Sequence, residues 1–264
     1  LNASEAQGVT ECFAEIAGDT LECRLITAQS ARKGMPTLVF LHEGLGSVQL
    51  WRDTPERLCT AVGCDGLVYS RMGYGASSRL IAPRPVKFME REAEEVLPLV
   101  LDHFAIERPL LVGHSDGGSI ALIYASLAKS RAVAALVMAA HVFVEDIALD
   151  AIAATREAYL GGALRERLRR FHDDVDGAFF GWNDIWLDAD FAAWTITSRL
   201  AGISCPVVVI QGEDDEYGTM AQVDALEAHG ARAYRLARCR HSPHRDQPEA
   251  VKNALVELLH TLAP

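Results

Sequence analysis

The sequence predicts an α/β domain, a mostly parallel eight-stranded sheet flanked by helices with an inserted helical cap. Three observations predict it. Short apolar runs alternate with helical segments through the first 140 residues, the rhythm of βαβ units. Several of those runs are continuously apolar, as strands buried on both faces must be. The rhythm breaks once, between about residues 148 and 204, and then resumes. Half of the 264 residues are hydrophobic, enough for one sizeable core.

The first two runs, Val9 to Ile16 and Leu21 to Ile26, alternate polar and apolar residues on either side of Gly18-Asp19, a hairpin signature. Thr37 to Leu41 reads as a buried strand ending in the glycine-containing loop His42-Glu43-Gly44-Leu45-Gly46-Ser47, the kind of strand end where an α/β sheet meets ligands. A helix is expected over Thr54 to Val62, a strand over Gly66 to Ser70 and a loop at Pro83 and Pro85. Phe88 to Phe104 reads as a helix whose Glu90, Glu92, Glu94 and Glu95 form a solvated face. Leu110 to Val112 is a buried strand, Gly117 to about Lys129 a helix and Val133 to Ala139 a strand.

The interrupted stretch reads as helices, with Leu164, Leu168, Phe171 and Val175 at helical spacing. Three of the four tryptophans, Trp182, Trp186 and Trp194, fall within thirteen residues of it. The expected division is a core of residues 1–147 and 205–264 with a cap of residues 148–204. The sheet resumes with Pro206 to Ile210, a helix from about Met220 to His229 and a last strand from Ala231 to Cys239. The helix from Pro248 to Leu262 opens on a proline, whose missing N–H is harmless in a first turn.

Chemistry concentrates at the ends of three strands. Gly113-His114-Ser115-Asp116-Gly117 is a G-x-S-x-G placed between a buried strand and a helix, the setting of a nucleophile elbow. There a serine is held at a sharp turn with its hydroxyl exposed, and the helix N-terminus offers N–H groups to a developing negative charge. A serine hydroxyl is a poor nucleophile at neutral pH, so it needs an imidazole to take its proton and a carboxylate to orient that imidazole. Asp215 follows the strand ending at Ile210, and His241 follows the strand ending at Cys239, so a parallel sheet brings both to the edge that carries Ser115. The spacing from Gly212 favours Asp215 over Asp214, and His241 lies closer to its strand end than His244. His42 and His114 read as structural, bonded to backbone.

Taken together, these motifs resemble the α/β-hydrolase-fold serine hydrolases over nearly the full chain. The matching residues are Leu41-His42-x-Gly44, Arg71-x-Gly73-Tyr74-Gly75-x-Ser77, Gly113-His114-Ser115-Asp116-Gly117-Gly118, Gly212-x-x-Asp215 and His241-x-Pro243-x-x-Asp246-x-Pro248. The resemblance implies a catalytic triad, with Ser115 as nucleophile, His241 as base and acid and Asp215 as its orienter. It also implies an oxyanion hole from the N–H groups of Asp116 and Gly44. Three positions depart from the pattern: Glu43 where glycine is usual, Ser70 where aspartate commonly precedes Arg71, and Arg240 where glycine usually precedes the histidine. Glu43 is expected to point away from the oxyanion hole, where its charge would oppose the reaction, and to pair with a loop arginine such as Arg71; the competing reading has it reach into the substrate pocket to bind a cationic group.

The function expected is that of a serine esterase-like hydrolase, cleaving an ester, thioester, lactone or C–C bond of a small, partly apolar molecule. Trp182, Trp186, Trp194 and His141 are the candidate substrate-binding residues. A cofactor-free perhydrolase or oxygenase on the same architecture, and a triad-containing ligand receptor with little turnover, are the rival readings. No cofactor is implied, and no metal-ligand spacing occurs among the nine histidines. A net charge of −11 argues against nucleic acid or an anionic membrane as partner. A homo-oligomer is compatible with the sequence. Six cysteines without a C-x-x-C pair suit a reducing, cytoplasmic setting. No apolar run is long enough to span a bilayer. The chain opens on Leu1 rather than Met, which leaves a trimmed leader open.

Overall fold

In the computed structural model, which describes residues 8–28 and 34–262, eight strands form a single sheet. A leader ahead of Leu1 falls outside the described residues. The hairpin of β1 (Gly8–Ile16) and β2 (Asp19–Thr27) turns at Ala17 and Gly18, both at positive φ, the geometry that matches strand twist in a two-residue turn. That is one residue earlier than the sequence reading.

Next come β3 (Thr37–Leu41), α1 (Thr54–Val62), β4 (Gly66–Tyr69), α2 (Phe88–Arg91) and α3 (Leu97–His103). They are followed by β5 (Pro109–His114), α4 (Asp116–Ala125) and β6 (Ala134–Met138). Three helices, α5 (Asp146–Leu160), α6 (Ala163–Leu168) and α7 (Val175–Trp186), lie between β6 and β7 (Val207–Gly212). The chain closes with α8 (Met220–Glu227), β8 (Arg232–Leu236), α9 (Pro243–Asp246) and α10 (Pro248–His260).

The spatial order is β1-β2-β4-β3-β5-β6-β7-β8, with β2 antiparallel to both neighbours and every other pairing parallel. Strand alternation sorts the core into two apolar layers. Leu38, Phe40, Leu110, Val112, Val208 and Ile210 face α1 and α10. Val39, Leu111, Val137 and Val209 face the other way, toward α3, α4 and α8. The six cysteines are free. Among the described residues no helix is long and apolar enough to cross a membrane.

Two sequence expectations fail for physical reasons. Glu90 and Glu92 are not solvated: a π-helical turn at Glu92–Val96 rotates the segment, and both carboxylates are buried against donors. Glu90 accepts from the Trp194 indole N–H at 3.3 Å, and Glu92 from the Tyr69 hydroxyl at 3.3 Å. Leu164 and Leu168 share α6, but Phe171 and Val175 do not continue it, because the chain turns before α7 starts at an Asp174 cap.

The insertion between β6 and β7 is pinched at its base by an antiparallel bridge between Phe143 and Thr195. The Val144 N–H donates to the Trp194 carbonyl at 3.2 Å and the Ile196 N–H to the Val142 carbonyl at 2.8 Å. His172 ties the inserted segment down: its Nδ1 accepts from the Gly75 N–H at 3.0 Å, leaving Nε2 to donate to the Leu45 carbonyl at 3.0 Å.

Candidate active site

Ser115 joins β5 to α4 at φ 52° and ψ −120°, a conformation that a non-glycine residue holds only when its surroundings impose it. The surroundings are backbone. A Cβ on Gly113 would lie 2.4 Å from the Gly117 carbonyl oxygen, and one on Gly117 only 1.9 Å from the Leu41 carbonyl oxygen. The elbow and the β3 loop therefore touch main chain to main chain. Gly117→Ala should destabilise the fold by at least about 3 kcal/mol, because no flexible side chain can yield to the added methyl group. Urea unfolding measures this, and an unchanged midpoint would contradict the packing described.

A hydrogen-bonded chain runs from this elbow. His241 Nε2 lies 3.0 Å from Ser115 Oγ, and its Nδ1 lies 2.8 Å from Asp215 Oδ1. A carboxylate only accepts, so Nδ1 carries the proton and the Nε2 lone pair faces the serine hydroxyl. Gly212 makes the approach feasible, since a Cβ there would fall 2.1 Å from the Cys239 carbonyl oxygen and hold the β7 and β8 ends apart. Asp215 also accepts from the Tyr217 N–H at 2.9 Å and the Gln211 side chain at 2.9 Å. Burial works to raise its pKa, but the hydrogen bond and charge of His241 and the Tyr217 N–H win, and the carboxyl sits below its ordinary value. Asp214 is exposed. His244 is buried against Trp51 with both ring nitrogens unpartnered, away from the chain of hydrogen bonds.

The loop after β3 lies beside the serine. His42 Nδ1 donates to the Glu43 carbonyl at 2.6 Å, and its Nε2 accepts from the Arg71 N–H at 3.0 Å. Arg71, fully buried, donates to the carbonyls of His42 at 2.6 Å and Glu43 at 3.2 Å, and stands 3.8 Å from Asp116 Oδ2. The expected Arg71 partnership with the Glu43 carboxylate is therefore corrected: the guanidinium takes the backbone, whose carbonyls lie nearer. The Glu43 carboxylate turns instead toward His114 and Arg245. Ser70, at another departure from the family pattern, accepts from the Val48 N–H at 2.8 Å and donates to Glu22 at 2.6 Å.

The N–H of Asp116 belongs to the first turn of α4, where a helix leaves its donors without intrahelical acceptors. Its side chain is buried, accepts from the Trp186 indole N–H at 3.2 Å, and has its pKa raised by that burial. Gly44 lies under the indole of Trp182, whose nitrogen would be 2.1 Å from any Cβ there. His141 is buried with its ring 5.0 Å from Trp186 and 6.1 Å from His241, and burial lowers its pKa to about 4, so it is neutral at neutral pH.

Trp182 thus lies over Gly44 and Trp186 is bound to Asp116, whereas Trp194 stacks on Phe191 and is bound to Glu90. Trp182→Phe should change the ratio of kcat/KM between short- and long-acyl esters by roughly tenfold. Trp194→Phe should leave that ratio unchanged but cost about 1–3 kcal/mol, because Glu90 loses its buried donor. Equal effects on the ratio would show the two indoles to be equivalent.

Sequence reasoning missed Gln211 and Tyr217. Gln211 carried a signal, as a polar residue at the end of an apolar strand. Tyr217, whose ring lies 4.6 Å from His241 and whose hydroxyl is 3.0 Å from Thr155 of α5, carried none.

A central sheet of this order, with a serine elbow, an acidic residue after β7 and a histidine after β8, defines the α/β-hydrolase fold. Residues 38–254 match the family model described as the alpha/beta hydrolase family, and the chain belongs to that family. No curated protein sequence matches it. Among solved structures it is similar to proline iminopeptidase from Mycobacterium smegmatis, at TM-score 0.78 and 19% identity, covering 96% of this chain and 98% of that one. It is also similar to 2-hydroxy-6-oxo-6-phenylhexa-2,4-dienoate hydrolase from Rhodococcus sp. strain RHA1, at 0.74 and 18%, covering 97% and 100%. The enol-lactonase from Burkholderia xenovorans LB400 matches at 0.72 and 19%, covering 94% and 100%.

Proposed function

We propose that the protein is a serine hydrolase that cleaves an ester, thioester, lactone or C–C bond of a small, partly apolar molecule through an acyl-enzyme at Ser115. Family membership supports hydrolase chemistry in general. The observation that carries the serine mechanism is the unbroken line Asp215–His241–Ser115, at 2.8 and 3.0 Å, ending on a hydroxyl held at positive φ.

As Ser115 Oγ attacks a carbonyl carbon, its proton passes to His241 Nε2, and Asp215 stabilises the imidazolium that forms. The carbonyl oxygen becomes an oxyanion, met by the N–H groups of Gly44 and Asp116. Collapse expels the leaving group, which takes the proton from Nε2. Water then repeats the sequence on the acyl-enzyme, returning the proton to Oγ. The helices α5 to α7 serve as a cap, with Trp182, Trp186 and His141 as substrate-contacting groups.

The test is turnover of p-nitrophenyl esters together with fluorophosphonate labelling. Sustained turnover with label on Ser115 supports the hydrolase. Label without turnover would favour a receptor, and absence of both would overturn the serine mechanism.

A further inference from the structure

Tyr217 stands two residues beyond Asp215 and touches its surroundings at three points. Its N–H donates to Asp215 Oδ1 at 2.9 Å, the same oxygen that accepts from His241 Nδ1. Its ring lies against the His241 imidazole, with centroids 4.6 Å apart and planes tilted by 47°. Its hydroxyl lies 3.0 Å from Thr155 Oγ1 on α5. Thr155 has one hydroxyl proton and gives it to the Ala151 carbonyl at 2.8 Å, so in the contact with Tyr217 the phenol donates and the threonine accepts. Burial pushes the Tyr217 phenol above its usual pKa, so it keeps the proton it donates.

A single hydrogen bond at Nδ1 fixes one atom of the His241 ring and leaves the ring able to swing about it, which would carry Nε2 away from the serine hydroxyl. A wall against the ring removes that freedom. The rings of His114 and His141 stand farther from the imidazole, at 5.2 and 6.1 Å, than that of Tyr217. We propose that Tyr217 is a positioning residue: anchored on Thr155, its ring holds the His241 imidazole with Nε2 aimed at Ser115 Oγ, so that the seating of α5 sets the alignment of the proton transfer. This rests on the serine-hydrolase reading above.

The loop that carries Tyr217 is built to transmit that seating. Gln211 donates to Asp215 Oδ2 at 2.9 Å and to the Gly218 carbonyl at 3.0 Å, which pins the loop to the end of β7. The N–H and hydroxyl of Thr219 donate to the Glu145 carboxylate at 3.0 and 2.5 Å, and Glu145 immediately precedes α5. Loop and helix are therefore joined at the helix start and again at Thr155, roughly two and a half turns along. A shift of α5 along its axis pulls on the Tyr217 ring.

The experiment is a double-mutant cycle on p-nitrophenyl acetate, whose short acyl chain reaches few groups beyond the serine. Tyr217→Leu, which removes ring and hydroxyl together, should lower kcat by about tenfold to hundredfold with KM little changed. Tyr217→Phe keeps the ring and loses its anchor, and should lower kcat by about threefold to tenfold. Thr155→Val should match it, and the double variant should be no slower than either single one, because both substitutions remove the same bond. The rate of fluorophosphonate labelling at Ser115 should fall in step with kcat, since it uses the same proton transfer. A Tyr217→Leu or Thr155→Val variant with full kcat, a loss confined to KM, or losses that multiply in the double variant would overturn the proposal. Should Tyr217→Leu fail to fold, the two milder substitutions still decide. A wild-type protein that labels without turnover leaves the labelling rate as the readout, whereas one with neither turnover nor label overturns the hydrolase reading and this role with it.

Discussion

Ser115→Ala should lower ester hydrolysis by about 10⁶-fold while leaving the unfolding midpoint close to that of the parent. The loss is large because every bond-making step in the proposed mechanism passes through Oγ, and His241 and Asp215 have no other nucleophile to activate. Stability changes little because the hydroxyl contributes one hydrogen bond, to His241 Nε2. Alanine must still adopt the positive φ of the elbow, a conformation the backbone contacts of Gly113 and Gly117 impose whatever the side chain. Stopped-flow assay of p-nitrophenyl acetate gives the rate, and fluorophosphonate labelling should vanish with it. Turnover within tenfold of the parent would remove Ser115 from the mechanism.

The second large effect separates two adjacent carboxylates. Asp215→Asn should lower kcat by about 10⁴-fold, because an amide facing Nδ1 stabilises the tautomer that puts the proton on Nε2, toward the serine. Asp214→Asn should cost less than threefold, since that side chain is exposed and only its N–H, bound to the Cys239 carbonyl at 3.0 Å, has a structural partner. The same residue shapes acid stability. The Asp215 carboxyl has a folded pKa below its ordinary 3.8, so it stabilises the fold above that value and loses this contribution as pH falls through the depressed one. Asp215→Asn should therefore flatten the acid limb of a stability–pH curve, whereas Asp214→Asn should not. Matching kinetic losses in the two variants would contradict the assignment.

The parts of this architecture that follow local rules could be read from the chain alone. Strands buried on both faces announce themselves as unbroken apolar runs, and glycines at 113, 117 and 212 mark turns where backbones meet. Ser115 and Asp215 were legible because each sits just beyond such a run, and His241 because it follows the last strand of a parallel sheet that brings those ends together. What stayed hidden depends on contacts distant in sequence. Glu90 reads as a surface charge until Trp194, far along the chain, supplies a buried donor. The partner of Glu43 depends on which neighbouring strand end lies nearer. Arg71 has the right charge, but two backbone carbonyls engage it first.

The bridge between Phe143 and Thr195 has a consequence for how such a molecule can diverge. Residues opposed across an antiparallel bridge stand about 5 Å apart, so whatever lies between them starts and finishes at nearly one point. Lengthening or exchanging that stretch leaves unaltered the distance the crossover from β6 to β7 must cover, and each doubling of loop length adds only about 0.6 kcal/mol of closure cost. Residues 144–194 are thus a replaceable module on a fixed socket. An exchange there leaves the register of the central sheet unaltered.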